Sequence, residues 1–137
     1  MTDFALHPRL AADSLAVTDL ALCRVLLIND SRFPWLVLVP RLPGAREIVD
    51  LAPADRLLLA EEIDLAAGAL RQLCPTDKLN IGAIGNIVEQ LHVHVVARQR
   101  SDPAWPGVVW GFAGATPYAA AAAEARLAGL KTLLVQP

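Results

Sequence analysis

The sequence predicts an α+β fold with a mainly antiparallel sheet, one long helix and a C-terminal helix. Two observations lead to this prediction. Apolar runs rich in Val, Leu and Ile occur in pairs that are separated by turn residues, as in antiparallel strands. Between the two pairs lies a long segment with apolar residues at helical spacing. Because the chain has 137 residues, we expect a single domain over residues 1–137.

Four segments are predicted to be strands. Residues 22–28, apart from Arg24, and 35–39 are apolar, and the polar stretch between them has the composition of a turn, so these two runs are expected to form a hairpin. Residues 78–84 and 91–98 are separated by a Gly-Asn turn and form the second pair. The β-like pattern begins before the hairpin, at about Leu15.

Residues 53–74 are predicted to form the long helix. Pro53 suits the first helical position. An apolar stripe at spacings of three and four residues is expected to face the core, and it consists of Leu59, Ile63, Ala66, Leu70 and Leu73. The C-terminal helix is expected to be capped by Thr116, to open at Pro117 and to continue to about Leu130. Residues 101–116 contain too many prolines and glycines for regular structure.

The composition excludes several classes of protein. With 12 basic and 14 acidic residues the net charge is −2, so we expect no nucleic-acid partner. The apolar runs at 25–28 and 35–39 have four and five residues, whereas a membrane-spanning helix needs about 20, so we expect no membrane partner. Cys23 and Cys74 are too few for a disulfide framework and are expected to be buried, reduced thiols of a cytoplasmic protein.

Residues 90–96, Gln-Leu-His-Val-His-Val-Val, contain two of the three histidines at alternate positions. Alternate side chains of a strand lie on one face, so Gln90, His92 and His94 are predicted to share a face and the apolar residues between them to face the core. Two neighbouring imidazoles on a rigid sheet are suited to catalysis. A merely polar, exposed strand face would have the same pattern, and the pattern alone leaves both interpretations open.

The segment before this strand contains Asn80, Asn86 and Gly85. Asn80 and Asn86 can donate amide hydrogen bonds to phosphate oxygens, and Gly85 permits a tight turn or a close approach of the backbone to a ligand. Asn and Gly are also ordinary turn residues. The histidines that follow four to six residues later favour the functional interpretation.

Together these motifs resemble the histidine triad (HIT) superfamily, whose motif reads His-φ-His-φ-His-φ-φ with φ apolar. The segment 80–88, with its Asn-x-Gly and Gly-amide-x-Val pattern, precedes the motif as in that family, and Trp105-Pro106-Gly107 follows it. The resemblance extends from about Arg24 to Arg98. It implies a HIT-like fold with a five-stranded sheet, a motif strand at 90–96 and a C-terminal extension at 101–137.

The resemblance also implies an activity. His92 matches the middle histidine, the family's nucleophile, which attacks the α-phosphate of a nucleoside phosphoester, phosphoramidate or dinucleoside polyphosphate and forms a nucleotidyl-imidazole intermediate. His94 matches the third histidine, which contacts the phosphate. Asn80 and Asn86 match phosphate or leaving-group contacts, and Asp30 matches a carboxylate that accepts hydrogen bonds from ribose. The resemblance therefore implies a hydrolase or nucleotidyl transferase. Such a protein needs no cofactor, binds a small-molecule nucleotide and forms a homodimer.

Three positions depart from the family pattern. Gln90 stands where the first triad histidine is expected, and its carboxamide can orient the site but cannot take up a proton near neutral pH. Trp35 stands where many members have a histidine that partners the first one, so positions 35 and 90 are expected to be partners. Ile87 stands where a hydroxyl often contacts the phosphate. These departures favour one alternative, a nucleotide-binding module with little or no turnover.

Other interpretations concern neighbouring residues. The His-x-His pair at 92–94 is also a common start of a zinc site, but a catalytic zinc needs three protein ligands and no third one is evident, so we expect no metal. Trp105 and Trp110 are candidates for the nucleotide pocket, a dimer interface or the core. Arg98 is a candidate for neutralising phosphate charge, whereas Arg100 and Asp102 are expected to be solvated surface charges.

Overall fold

The computed structural model describes residues 3–135. Its helices and strands are, in chain order, α1 (Pro8–Ala12), β1 (Ser14–Asp19), β2 (Cys23–Ile28), β3 (Trp35–Pro40), a 3-10 turn (Ile48–Asp50), α2 (Pro53–Leu73), β4 (Lys78–Gly82), β5 (Val93–Arg98) and α3 (Ala120–Leu134). The five strands form one antiparallel sheet in the order β1-β2-β3-β5-β4, which confirms the predicted α+β fold. Within residues 3–135 no helix is long and apolar enough to cross a membrane.

The predicted motif strand at 90–96 is wrong at its start, because β5 begins at Val93 and residues 90–92, which include His92, precede it. β4 ends at Gly82, two residues before the predicted end.

The two predicted strand pairs place β5 inside the sheet. β2 and β3 form the predicted hairpin, with Val25 opposite Leu38. β5 lies between β3 and β4, so that His94 pairs with Val37 on one side and with Gly82 on the other. A strand that is hydrogen-bonded along both edges has a fixed backbone, and the side chains of β5 are therefore held in defined positions.

α2 and α3 cover one face of the sheet. Leu59, Ala66 and Leu70 of the predicted stripe are buried against it, together with Leu91, Val93 and Val95 from the histidine segment. Leu73, at the end of the stripe, is 37% exposed and lies beside Gly129 of α3 rather than in the core. Cys23 and Cys74 are buried free thiols, as expected.

The opposite face of the sheet carries the histidines. Two smaller apolar clusters lie there, one around Leu10, Val37 and Val88 and the other around Phe33 and Val96. The N-terminal segment covers the first cluster and the loop 101–116 covers the second. α1, which belongs to the N-terminal segment, is not among the elements predicted from the sequence.

The predicted start of the C-terminal helix is wrong. α3 begins at Ala120, and Thr116 does not cap it. The backbone N–H of Thr116 donates to Asp30 Oδ1 at 3.3 Å, and its carbonyl accepts from the N–H of Ser31 at 2.7 Å. These contacts tie residue 116 to the hairpin turn, and the helix starts four residues later and runs on to Leu134.

Candidate functional site

His92 and His94 lie side by side at the wall of a cavity of about 800 Å³. Their ring centroids are 4.9 Å apart and the rings meet edge to face at 68°. The two residues are only 6% and 8% exposed, so the interpretation of a solvent-exposed polar strand face is wrong. Buried imidazoles need hydrogen-bond partners, and these partners define which ring nitrogen carries the hydrogen.

The ring of His92 is oriented by a backbone carbonyl. Its Nδ1 lies 2.7 Å from the carbonyl oxygen of Gln90. Since a carbonyl oxygen can only accept, Nδ1 carries the hydrogen in the neutral ring and Nε2 keeps its lone pair. His92 therefore offers a nucleophilic nitrogen.

The ring of His94 is oriented by Trp35. The indole Nε1–H, which is a donor only, donates to Nδ1 of His94 at 2.9 Å. Burial and, to a smaller extent, the neighbouring His92 lower the pKa of His94 from 6.5 to about 4. His94 is therefore a neutral imidazole whose hydrogen is on Nε2, and it offers a donor beside the lone pair of His92. Trp110 packs against the same ring at a centroid distance of 5.4 Å.

This geometry predicts a definite NMR signature. We expect His94 to remain the neutral Nε2–H tautomer from neutral pH down to about pH 5, with a midpoint near the pKa of about 4. Trp35→Phe removes a bond to the neutral form worth about 0.5–1.5 kcal/mol, so the pKa of His94 should rise. The ¹⁵N chemical shifts of the histidine ring, followed against pH, report both the tautomer and the pKa of His94. Trp105→Phe is the matched control, and a His94 midpoint at the ordinary value of 6.5 in the wild type would contradict the assignment.

The expected partnership between positions 35 and 90 is replaced by two separate contacts. Trp35 bonds His94, as described. The carboxamide of Gln90 bonds the N-terminal segment: Oε1 accepts from the N–H of His7 and Nε2 donates to the carbonyl of Ala5, both at 2.8 Å. The side chain of Gln90 therefore orients the N-terminal segment, and only its backbone carbonyl contacts a histidine ring.

Asp30 lies at the cavity wall and is 3% exposed. Its carboxylate accepts from Arg32 Nε at 2.9 Å, from Arg32 Nη2 at 2.8 Å and from the backbone N–H groups of Arg32 and Thr116. Burial raises the pKa of Asp30, but these hydrogen bonds outweigh burial and hold it below its ordinary value. The group is an ionised acceptor that already has several donors.

Of the two predicted phosphate contacts, Asn86 lines the cavity and Asn80 does not. Asn86 is exposed and lines the cavity, as does Ile87, which is 74% exposed. Gly85, beside them, has φ +68°, a left-handed conformation that glycine adopts readily. Asn80 is not among the residues that line the cavity, and its Oδ1 accepts from Arg98 Nη1 at 2.8 Å. The expected phosphate contact of Asn80 therefore lacks support.

Arg98 and Asp102 form a buried ion pair. Arg98 Nε and Nη2 donate to the two carboxylate oxygens of Asp102 at 2.7 and 2.9 Å, and the side chains are only 2% and 8% exposed. The guanidinium lowers the pKa of Asp102. The expectation of a solvated Asp102 is wrong, and the charge of Arg98 is compensated within the protein. Arg100 is exposed, as expected.

The two tryptophans of the loop 101–116 lie in different surroundings. Trp105 packs on the guanidinium of Arg98, with 5.7 Å between the guanidinium carbon and the ring centroid. Trp110 lines the cavity beside His94. Two backbone N–H groups of the loop, those of Ala104 and Trp105, donate to Asp102 Oδ1. The buried ion pair is thus the anchor of the loop that brings Trp110 to the site.

One wall of the cavity is formed by residues that were not predicted from the sequence. Arg9, Leu10 and Asp13 from α1 and its C-terminal end line the cavity, as do residues of the loop 101–116. The dipeptide His7-Pro8 could have indicated the start of α1, since His7 caps this helix and Pro8 occupies its first turn. Within the described range 3–135, no group of three or more His, Cys, Asp or Glu side chains is placed to hold a metal ion.

The chain matches a known protein family and several solved structures. The HIT domain model matches residues 9–101 of the chain. A histidine triad protein from Bradyrhizobium japonicum is 41% identical, with a TM-score of 0.95, over 98% of this chain and 100% of that chain. A histidine triad protein from Sinorhizobium meliloti is 44% identical, with a TM-score of 0.93, over 96% of this chain and 97% of that chain. One from Marinobacter aquaeolei is 42% identical, with a TM-score of 0.94, over 97% of each chain.

A comparison with curated proteins finds no match. The family model covers more than half of the chain, and the chain therefore belongs to the HIT domain family. Members of this superfamily bind nucleotides and are generally nucleotide hydrolases or transferases.

Proposed function

We propose that the protein is a nucleotide hydrolase or nucleotidyl transferase that acts through a nucleotidyl-His92 intermediate. Its substrates are nucleoside phosphoesters, phosphoramidates or dinucleoside polyphosphates. The observation that supports this proposal most strongly is that the Nε2 lone pair of His92 and the Nε2–H donor of His94 lie at the same cavity wall. The chemistry needs a nucleophile, a donor and water, so no cofactor is part of the proposal.

The first step of the proposed reaction is attack by His92. The Nε2 lone pair forms a bond to the α-phosphorus, and the bond from phosphorus to the leaving oxygen or nitrogen breaks with its electron pair. The ring gains positive charge in this step, and the 2.7 Å bond from Nδ1 to the carbonyl of Gln90 becomes charge-assisted and stronger. His94 Nε2–H donates to the phosphate. Water then attacks the phosphorus, and the bond between phosphorus and Nε2 breaks with its electron pair returning to Nε2. The proton that the water loses balances the proton that the leaving oxygen or nitrogen takes up.

A nucleotide-binding module without turnover is the second candidate function. The observation that favours it is the engagement of Gln90: both polar atoms of its side chain bond the N-terminal segment. We propose that this residue replaces the first triad histidine, so that position supplies no titrating ring to protonate the leaving group. Detection of a nucleotidyl-histidine distinguishes the two candidates.

We propose that Asp30 and Asn86 bind the nucleotide, since both line the cavity with the histidines. We expect the wild type to bind AMP more tightly than deoxy-AMP, because a hydrogen bond to a charged acceptor is worth about 1.5–3 kcal/mol. Asp30→Asn should reduce this discrimination, whereas Asp13→Asn, at another carboxylate of the wall, should retain it. Calorimetric titration with both nucleotides measures it, and equal affinities in the wild type would show that Asp30 only braces the hairpin turn.

We further propose a cytoplasmic homodimer in which the sheets of two copies join. β4 is at one end of the strand order, so its outer edge is available for pairing, and Ile81 and Ile84 nearby are each 47% exposed. Light scattering should give about twice the chain mass of 14.7 kDa. A single-chain mass at micromolar concentration would contradict the dimer.

A further inference from the structure

Gln90 connects the N-terminal segment to the histidine pair. Its carboxamide holds the backbone of Ala5 and His7 through two hydrogen bonds of 2.8 Å, and its carbonyl oxygen lies 2.7 Å from Nδ1 of His92. The Nδ1 atom of His7 in turn accepts from the N–H of Arg9 at 3.1 Å. The residue that Gln90 holds is therefore the cap of α1, two residues before Arg9.

Apolar packing also holds α1 in place. Leu10 is 7% exposed and packs in the cluster with Leu26 and Val39. Ser14 Oγ donates to the carbonyl of Leu10 at 2.6 Å. Arg9 and Asp13 lie on the cavity side of this segment. α1 is thus held between the sheet and Gln90 with Arg9 at the cavity wall.

Positive charge is scarce at this cavity. Arg9 is the one Lys or Arg residue among the described residues that line it. Arg32, nearby, is paired with Asp30, and Arg98 is paired with Asp102. His94 is neutral because of its low pKa. Within residues 3–135 no carboxylate forms an ion pair with Arg9, and Asp13 is the uncompensated carboxylate on the same wall.

We propose that Arg9 binds an anionic group of the substrate and that Gln90 is the positioning residue that presents it. The carboxamide of Gln90 fixes the cap of α1, and α1 places the guanidinium at the cavity that the histidines share. This inference rests on the proposed function and specifies its substrate class. Nucleotides with a further phosphate beyond the one at His92, such as dinucleoside polyphosphates, are favoured over phosphoramidates with an uncharged leaving group.

The role of Gln90 is tested without any nucleotide. Hydrogen exchange of the His7 amide is measured in the wild type, in Gln90→Ala and in Gln72→Ala, which truncates an exposed glutamine on α2. Loss of the bond to Oε1 should speed exchange at His7 by about tenfold in Gln90→Ala, and Gln72→Ala should match the wild type. Thermal unfolding of each variant separates this local opening from a global loss of stability.

The role of Arg9 is tested by steady-state kinetics with diadenosine tetraphosphate and with adenosine phosphoramidate. Arg9→Gln should raise KM for the polyphosphate by about tenfold, with a smaller change in KM for the phosphoramidate. The control Arg71→Gln makes the same charge change on α2, across the sheet. Gln90→Ala should raise KM for the polyphosphate more than it lowers kcat, and the double variant should be no worse than the poorer single variant.

Each part of the proposal can fail separately. Unchanged exchange at His7 in Gln90→Ala overturns the positioning role. Equal effects of Arg9→Gln on both substrates, or an equal effect of Arg71→Gln, overturn the assignment of Arg9. If the wild type neither binds nor converts either nucleotide, the proposed function and the assignment of Arg9 both fall, while exchange at His7 still decides the role of Gln90.

Discussion

His92→Ala is expected to abolish turnover of an adenosine phosphoramidate while the protein stays folded. The substitution removes the Nε2 lone pair that the carbonyl of Gln90 fixes in place, and with it the covalent route. Loss of that route should lower kcat/KM by several orders of magnitude, at about 1.4 kcal/mol of activation free energy per factor of ten. The ring points away from the core formed with α2, so its loss should affect the fold little.

Added imidazole makes the His92→Ala experiment more specific. If His92 is the nucleophile, free imidazole that enters the vacated space should restore part of the turnover in His92→Ala. It should restore none in His94→Ala, where the nucleophile is present and the donor is missing. Unchanged turnover in a folded His92→Ala protein would contradict the covalent mechanism.

Arg98→Ala is expected to lower the free energy of unfolding by about 3–5 kcal/mol, because it leaves the buried carboxylate of Asp102 without its partner. The matched control is Arg46→Ala, since the pair of Arg46 with Glu89 has side chains that are 60% and 66% exposed. An exposed pair contributes only about 0.2–1 kcal/mol. Denaturant unfolding measures both variants, and equal losses would contradict the buried role of Arg98.

The same ion pair predicts a dependence on pH. Arg98 lowers the pKa of Asp102 below 3.8 in the folded state, so this contribution to stability is fully present above the unfolded pKa and is lost as the pH falls through the folded pKa. The difference in unfolding free energy between the wild type and Asp102→Asn should therefore shrink below about pH 4. If the difference in unfolding free energy between the two proteins stays constant from neutral to acidic pH, the stabilising role of the ionised Asp102 is contradicted.

The hairpin, α2 and the faces of the histidine segment follow from local sequence patterns. Val, Leu and Ile runs bounded by turn residues define β2 and β3, and the alternation at 91–95 places Leu91 in the core and His92 in the cavity. Such patterns report burial on one element at a time. They predict what a strand or helix buries, which is why these predictions are confirmed.

Long-range partners explain two of the failures. The side chain of Gln90 bonds a residue 83 positions away, and the backbone of Thr116 bonds Asp30, 86 positions away. Neither contact has a local signature. Asp102 was expected to be solvated because charged residues usually are. Its partner Arg98 is only four residues away, so this failure has a different cause: the sequence does not show that the end of β5 is buried, and the structure shows both side chains to be almost fully buried.

Trp35, which is expected from the sequence to replace a histidine of the family pattern, makes a defined contact with the site. The sequence shows that an indole supplies one N–H donor and no base. The structure gives that donor a partner, His94 Nδ1, and so determines which nitrogen of His94 faces the phosphate in the proposed reaction. The site therefore combines one fixed acceptor and one fixed donor.

Intact-mass spectrometry of the wild type, quenched in neutral denaturant during turnover of a nucleoside phosphoramidate, tests the central proposal most directly. We predict a fraction of the protein heavier by one nucleotidyl group, located on the peptide that contains His92 and absent from His92→Ala. Turnover with no such adduct, or an adduct that persists in His92→Ala, would contradict a nucleotidyl-His92 intermediate. Binding with neither turnover nor adduct would establish the nucleotide-binding module instead.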